Sequence, residues 1–136
     1  MSFEFPIERG KVREFARVMQ SDDPQFQATD AVVPATFLTS VALWAPEGAR
    51  PDVGFDRRRL LHAEQEYVFH GPLPRVGTTL HVEYKVGDRY EKAGRRGGTM
   101  KFAVVIAEFR DETGRLVAEQ RMTVVETAQA PSEAGA

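Results

Sequence analysis

The chain opens on alternation. Phe3, Phe5 and Ile7 occupy every second position with Glu4 and Pro6 between them, which predicts a short edge strand, because proline lacks the N–H that a central strand must donate. The period then lengthens. Val12, Phe15, Ala16 and Met19 recur at i, i+3, i+4 and i+7, with Lys11, Arg13, Glu14 and Arg17 opposite, so residues 8–20 predict an amphipathic helix lying on a surface. Ser21-Asp22-Asp23-Pro24 ends it, and residues 25–31 read as a loop, the natural place for a ligand-facing segment. Residues 32–44, VVPATFLTSVALW, are apolar nearly all round and begin with a proline suited to a helix's first turn. They predict one short buried helix with no wet face, enclosed by whatever sheet follows.

Beyond a loop punctuated by Pro46, Gly48, Pro51 and Gly54, the period becomes two. Leu61, Ala63, Tyr67 and Phe69 are expected on one face of a strand, with His62, Glu64, Glu66 and His70 on the other. Leu80, Val82, Tyr84 and Val86 oppose Thr79, His81, Glu83 and Lys85 in the next strand, and residues 94–98 supply a glycine-rich hairpin. Residues 101–109 are apolar on both faces, which predicts the most central strand. After Asp111-Glu112-Thr113-Gly114, a last strand carries Leu116, Ala118, Met122 and Val124 to about Thr127. Its sequel, AQAPSEAGA, is too poor in large apolar residues to pack, so residues 1–127 are expected to form one α+β domain and residues 128–136 a mobile tail. Four antiparallel strands around one apolar helix leave edges and apolar area that a second subunit would cover, so a homodimer or a heterodimer is expected.

Composition narrows the functions. With 18 basic against 20 acidic residues and no blocks of either, the chain shows no electrostatic footprint for nucleic acid. The absence of cysteine removes thiolate metal sites and a cysteine nucleophile. The N-terminus turns charged before an apolar signal core forms, and no run approaches the ~18 apolar residues of a membrane span, so a cytoplasmic protein is expected.

Four segments in order resemble the MaoC-like hotdog dehydratases, in particular the N-terminal or FAS1-like type. FARVMQSDDPQF is similar to that family's helix-to-loop passage, VVPATFL to its entry into the central helix, and HAEQEYVFHGPLPRVGTTL to its strand-turn-strand block. GTMKFAVVIAEFRDETGRLVAEQ completes the pattern. The resemblance implies a hotdog fold, an antiparallel sheet wrapped around a buried helix. It also implies an acyl thioester substrate on CoA or acyl carrier protein, a tunnel along the helix, and no cofactor or metal. The family's chemistry pairs an Asp with a His in an Asp-x-Asn-Pro-x-His arrangement. Here the pair is broken: aligning Pro24 puts Ser21 at the Asp, Asp23 at the Asn and Phe26 at the His, and starting from Asp22 puts Gln27 at the His. Asp22 and Asp23 remain as a possible remnant site, or simply as a helix end and turn.

The resemblance thus implies a subunit like the one in heterodimeric (3R)-hydroxyacyl-ACP dehydratases that lacks the acid–base pair and is completed by a catalytic hotdog partner. A self-sufficient enoyl hydratase or thioesterase, and a non-enzymatic acyl-binding protein, are the alternatives. Substrate contact is expected at Phe26, Val33, Pro34, Ala35, Thr36 and Phe37, with the free N–H groups of Ala35 and Thr36 as partners for a thioester carbonyl; Thr36 equally suits a helix cap. His62, His70 and His81 are read as residues of charged strand faces, and His62 with Glu64 and Glu66 as an ordinary wet strand more readily than a metal site. Arg95 and Arg96 in the glycine hairpin could meet a phosphate, or be a solvated turn.

Overall fold

The structure, a computed structural model, describes residues 1–128. Strand β1 (Ser2–Pro6) leads into helix α1 (Arg9–Val18), and after two irregular stretches four strands follow: β2 (Leu60–Phe69), β3 (Thr79–Ala93), β4 (Thr99–Arg110) and β5 (Leu116–Glu126). They make one antiparallel five-stranded sheet in the order β1-β3-β4-β5-β2. The doubly apolar strand β4 is its centre, as its sequence requires. Strand β1 is an edge strand and ends on Pro6. The other edge is β2, ten residues long and with one side of its backbone unpaired. The expectation of a mobile tail falls almost wholly on residues 129–136, outside those the structure describes.

Helix α1 buries Val12 and Ala16 and turns its basic side outward. The central element differs from its expectation. Residues 32–34 are extended, tied down by Val33 N–H to the Pro74 carbonyl at 3.0 Å and Val76 N–H to the Ala31 carbonyl at 2.9 Å. Only Phe37–Leu43 is helical, seven residues of tight 3-10 type. A run this short with Thr39, Ser40 and Val41 in its middle has little to gain from the wider α geometry. Phe37, Leu38 and Val41 point into the core, whereas Thr39, Ala42 and Leu43 face outward, Leu43 at 75% exposure. Within one chain the helix therefore does have an open face, and apolar character alone did not enclose it.

The buried side of the helix packs on the inner face of the sheet. Phe5, Leu80, Val82, Ala107, Phe109 and Ala118 meet Phe37, Leu38 and Val41 there. Phe37 stacks on Phe5 with ring centroids 6.1 Å apart and takes the edge of Phe15 at 5.5 Å.

Strand β2 corrects the alternation read from its sequence. His62 stands opposite Val124 and Glu64 opposite Thr123, so Ala63 is an extra residue, a β-bulge. A bulge shifts the phase by one and exchanges the faces. From Gln65 onward Gln65, Tyr67 and Phe69 share the inner face opposite Met122, Gln120 and Ala118. Before the bulge it is His62, not Leu61, that joins them, and Leu61 falls on the outer face with Glu64 and Glu66. The proposed grouping of His62 with Glu64 and Glu66 is thus split across the sheet. A second register shift, between Val86 and Arg89, lets β3 run on to Ala93 and brings Tyr90 flat against Phe102 at 4.7 Å.

Candidate functional site

The loop after α1 is built as a turn. Asp23 caps the short 3-10 turn Pro24–Phe26, its carboxylate accepting from the Gln25 backbone N–H at 3.1 Å and the Gln25 side-chain amide at 2.9 Å. Asp22 is exposed beside it. Phe26 packs half-buried against the core, and Gln27 is held to α1 by Arg9 at its carbonyl, 3.2 Å, and Arg13 at its side chain, 3.1 Å. Under either alignment of the motif, the position where a proton-transferring imidazole would stand holds a phenyl ring or an amide. The Asp23 carboxylate meets the amides of Gln25 rather than a second acid–base group.

The expected contacts along the central helix divide. The side chains of Val33, Pro34 and Phe37 are closed into the core, while Ala35 and Thr36 lie at the surface. Thr36 makes no side-chain cap bond, so the capping role does not hold. Among the described residues the Ala35 and Thr36 N–H groups meet no backbone acceptor.

A larger opening lies further along the inner face, where the helix ends and the segment 45–56 straps across the strands. Three cavities adjoin there. The first, about 220 Å³, is lined by Thr39 and Ala42 of the helix, by His62, Gln65, Gln120, Tyr84 and Met122 of the sheet, and by Arg50. It shares Arg50 and Val105 with a second, about 390 Å³, whose walls include Pro51, Val53, Phe55, Leu60 and Val124. Phe55 in turn borders a third of about 240 Å³ beside Arg89 and Lys101. The strap is fixed by Arg89 Nη1 donating to the Val53 carbonyl at 3.0 Å and by the Asp56 N–H donating to the Glu126 carboxylate at 2.8 Å. The first is polar at the helix end, the second mixes its apolar walls with Arg50, Asp52 and Arg57, and the third, toward the β3–β4 hairpin, sets Glu91 beside Arg89 and Lys101. Arg95 and Arg96 are exposed in that hairpin.

The cavity at the helix end holds the polar groups that sequence reading missed. His62 Nε2 lies 2.9 Å from Gln65 Oε1, and Arg50 Nη2 lies 3.1 Å from the Met122 sulfur. Burial pushes the Tyr84 phenol above its ordinary value, with the Arg50 charge opposing it. A trace existed in the sequence: the doublet Leu60-Leu61 breaks the alternation that resumes at Gln65, and a break within a strand marks a bulge. The other histidines are placed as expected. His70 and His81 lie on the outer face, His70 Nε2 bonding Glu119 at 2.8 Å.

A short helix packed on one face of an antiparallel sheet in the order β1-β3-β4-β5-β2 is the layout of a hotdog fold, and comparison with known proteins bears this out. The model of the FAS1-like dehydratase domain region matches residues 2–120, and the chain belongs to that family. It is 26% identical over 132 residues to a UPF0336 protein of Saccharopolyspora erythraea, covering 89% of this chain and 81% of that one. A chain of the C-terminally truncated HadBC (3R-hydroxyacyl-ACP dehydratase) complex of Mycobacterium tuberculosis superposes with a TM-score of 0.71 at 26% identity, covering 92% and 94% of the two chains. A MaoC-like dehydratase from Phytophthora capsici shares the fold, with a TM-score of 0.72 at 20% identity over 98% of this chain and 48% of its own.

Proposed function

We propose that this chain is the binding half of an acyl-thioester dehydratase or enoyl hydratase: it holds the acyl chain of a CoA or carrier-protein thioester, and a second hotdog subunit supplies the acid–base pair. One observation carries the reading. The loop that should present an Asp and a His presents a capped turn, with Asp23 occupied by Gln25 and Phe26 packed on the core, while cavities remain open beneath the strap. Binding and proton transfer are separable, since general acid–base catalysis contributes about 10²–10⁴-fold on top of what positioning provides. The thioester carbonyl would meet the N–H groups of Ala35 and Thr36, which would stabilise developing negative charge. No metal or cofactor enters this chemistry, and the setting proposed is the cytoplasm; no helix among the described residues is long and apolar enough to cross a membrane.

The partner's docking site in this reading is the free edge of β2. Leu60 and Leu61 on that strand are 38% and 59% exposed, and Leu43 of the central helix is 75% exposed. A long unpaired edge with apolar side chains is a template for a second chain, and the similarity to a subunit of a two-protein dehydratase supports it. The second reading, a self-sufficient enzyme, is favoured by His62 lining the cavity at the helix end. Hydration of a short and a long enoyl-CoA, by the purified chain and by the chain with its co-purified partner, separates the two. Turnover should need the partner. Robust turnover by the chain alone, abolished by His62→Gln, would replace the proposal with the second reading.

A further inference from the structure

The cavity at the helix end carries positive charge with nothing to answer it. Its walls include Arg50, His62 and Tyr84 and hold no Asp or Glu. Arg50 is set in place by its strap, where Ala49 is buried and its N–H donates to the Pro46 carbonyl at 3.1 Å. Its guanidinium nevertheless reaches only the Met122 sulfur, a weak acceptor, and forms no ion pair among the described residues. The carboxylate lining the adjoining cavity, Asp52, is turned to the Gly54 N–H at 2.8 Å, and Arg57 adds a second cation there. The half-buried Tyr84 hydroxyl also meets no hydrogen-bond partner among the described residues. It is not among the side-chain atoms shut off from solvent, and Arg50 is close enough for its charge to act on the phenol. A methyl-ended chain pushed into this space would strip water from the guanidinium and return no acceptor. A hydroxyl would answer one donor; a carboxylate brings a charge and two oxygens that match the guanidinium fork.

We propose, resting on the acyl-binding reading above, that this cavity receives a carboxylate carried on the acyl chain, so that the protein prefers monothioesters of dicarboxylic acids to plain fatty acyl thioesters. Arg50 donates to the carboxylate from the strap and Tyr84 from the sheet. The carbons of the chain lie along Val53, Phe55, Leu60, Val105 and Val124 of the adjoining cavity, which shares Arg50 with the first.

The test is equilibrium binding of 2-enoyl-CoA thioesters to the purified full chain, as pairs of equal carbon number, one methyl-ended and one ω-carboxylated, over a series of lengths. At one length the carboxylated member should bind about tenfold tighter or more, the size of a single charge-assisted hydrogen bond. Arg50→Gln should bring that pair to equal affinity, and Tyr84→Phe should reduce the preference several-fold; thermal melting checks that each variant is folded. If one variant does not fold, the other and the wild-type series still decide. Equal binding within every pair overturns the carboxylate subsite and leaves the acyl-binding proposal standing, and a preference that survives Arg50→Gln overturns the assignment to Arg50. Loss of co-purification with the partner in Arg50→Gln, with no carboxylate preference in the wild type, overturns it in favour of an ion pair across the subunit interface. Failure of every thioester to bind overturns both proposals.

Discussion

Replacing Phe37 by Ala tests whether the short helix holds the domain together. The ring is 1% exposed, stacked on Phe5 and met edge-on by Phe15, so truncation removes a fully buried aromatic and leaves a cavity that the rigid inner face of the sheet cannot collapse to fill. Such changes cost ~3–5 kcal/mol, of which the aromatic pairs account for about 0.5–1.5 kcal/mol each. Against a total stability of ~5–15 kcal/mol for a domain, that lowers the melting temperature by on the order of 10 °C or more. Leu43→Ala, on the same helix but 75% exposed, is the control and should move the isolated chain by no more than about 0.5 kcal/mol. Sequence alone gives Trp44 the same weight as Phe37; half-buried at the helix end, it should cost clearly less. Urea titration and thermal melts of the three variants read this directly. A Phe37→Ala protein melting within a few degrees of the wild type would show that the helix is not the keystone of the core.

Asp22→Asn with Asp23→Asn should leave the turnover of the assembled complex within a few-fold, because neither carboxylate meets a second acid–base group; a loss of several hundredfold would make the loop catalytic after all. Asp23→Ala should instead lower stability by about 0.5–2 kcal/mol through loss of its cap, read by urea titration. On the outer face, the hydrogen bond from His70 and then the one from Arg121 hold the Glu119 carboxyl below its usual 4.5 against the opposing effect of burial, and Lys85 and then Arg110 do the same for Glu108. A depressed carboxylate contributes stability that is present above the unfolded value and lost as pH falls through the lower folded one, so melting temperature should drop below about pH 4.5, and Glu119→Gln with Glu108→Gln should flatten that acid limb. Leu61→Lys should leave the melt of the isolated chain unchanged while abolishing co-purification with the partner; an intact complex would move the interface away from the β2 edge.

Most of the fold is legible in the hydrophobic pattern because the sheet buries one face. The run from Lys101 to Phe109 can only be central, since it has no polar side to show water. The α1 stripe of Val12, Ala16 and Phe15 is equally plain, and Pro6 marks its strand as an edge. The central helix was legible in place but not in form. An apolar run of thirteen positions (residues 32–44) says that something is buried, yet it cannot tell a protein core from a surface kept for another subunit. Leu43 is apolar and outward-facing for a reason that lies outside the single chain in the proposed reading.

The site was half legible, and the missing half has one physical cause. The departure from the family's Asp-x-Asn-Pro-x-His arrangement is a matter of residue identity, so sequence alone displays it. The polar cavity at the helix end depends on phase. Ala63 adds one residue to β2 without changing composition or propensity, and that single residue decides whether His62 stands with Glu64 in solvent or with Gln65 and Gln120 beneath the helix. Alternation counted from Tyr67 and Phe69 backward through the bulge assigns every earlier side chain to the wrong face. A histidine on an edge strand is therefore placed only once the register of its neighbour is known. Here the neighbour, β5, brings Gln120 and Met122 opposite Tyr67 and Gln65, and that pairing turns a residue of an ordinary wet strand into part of the cavity wall at the helix end.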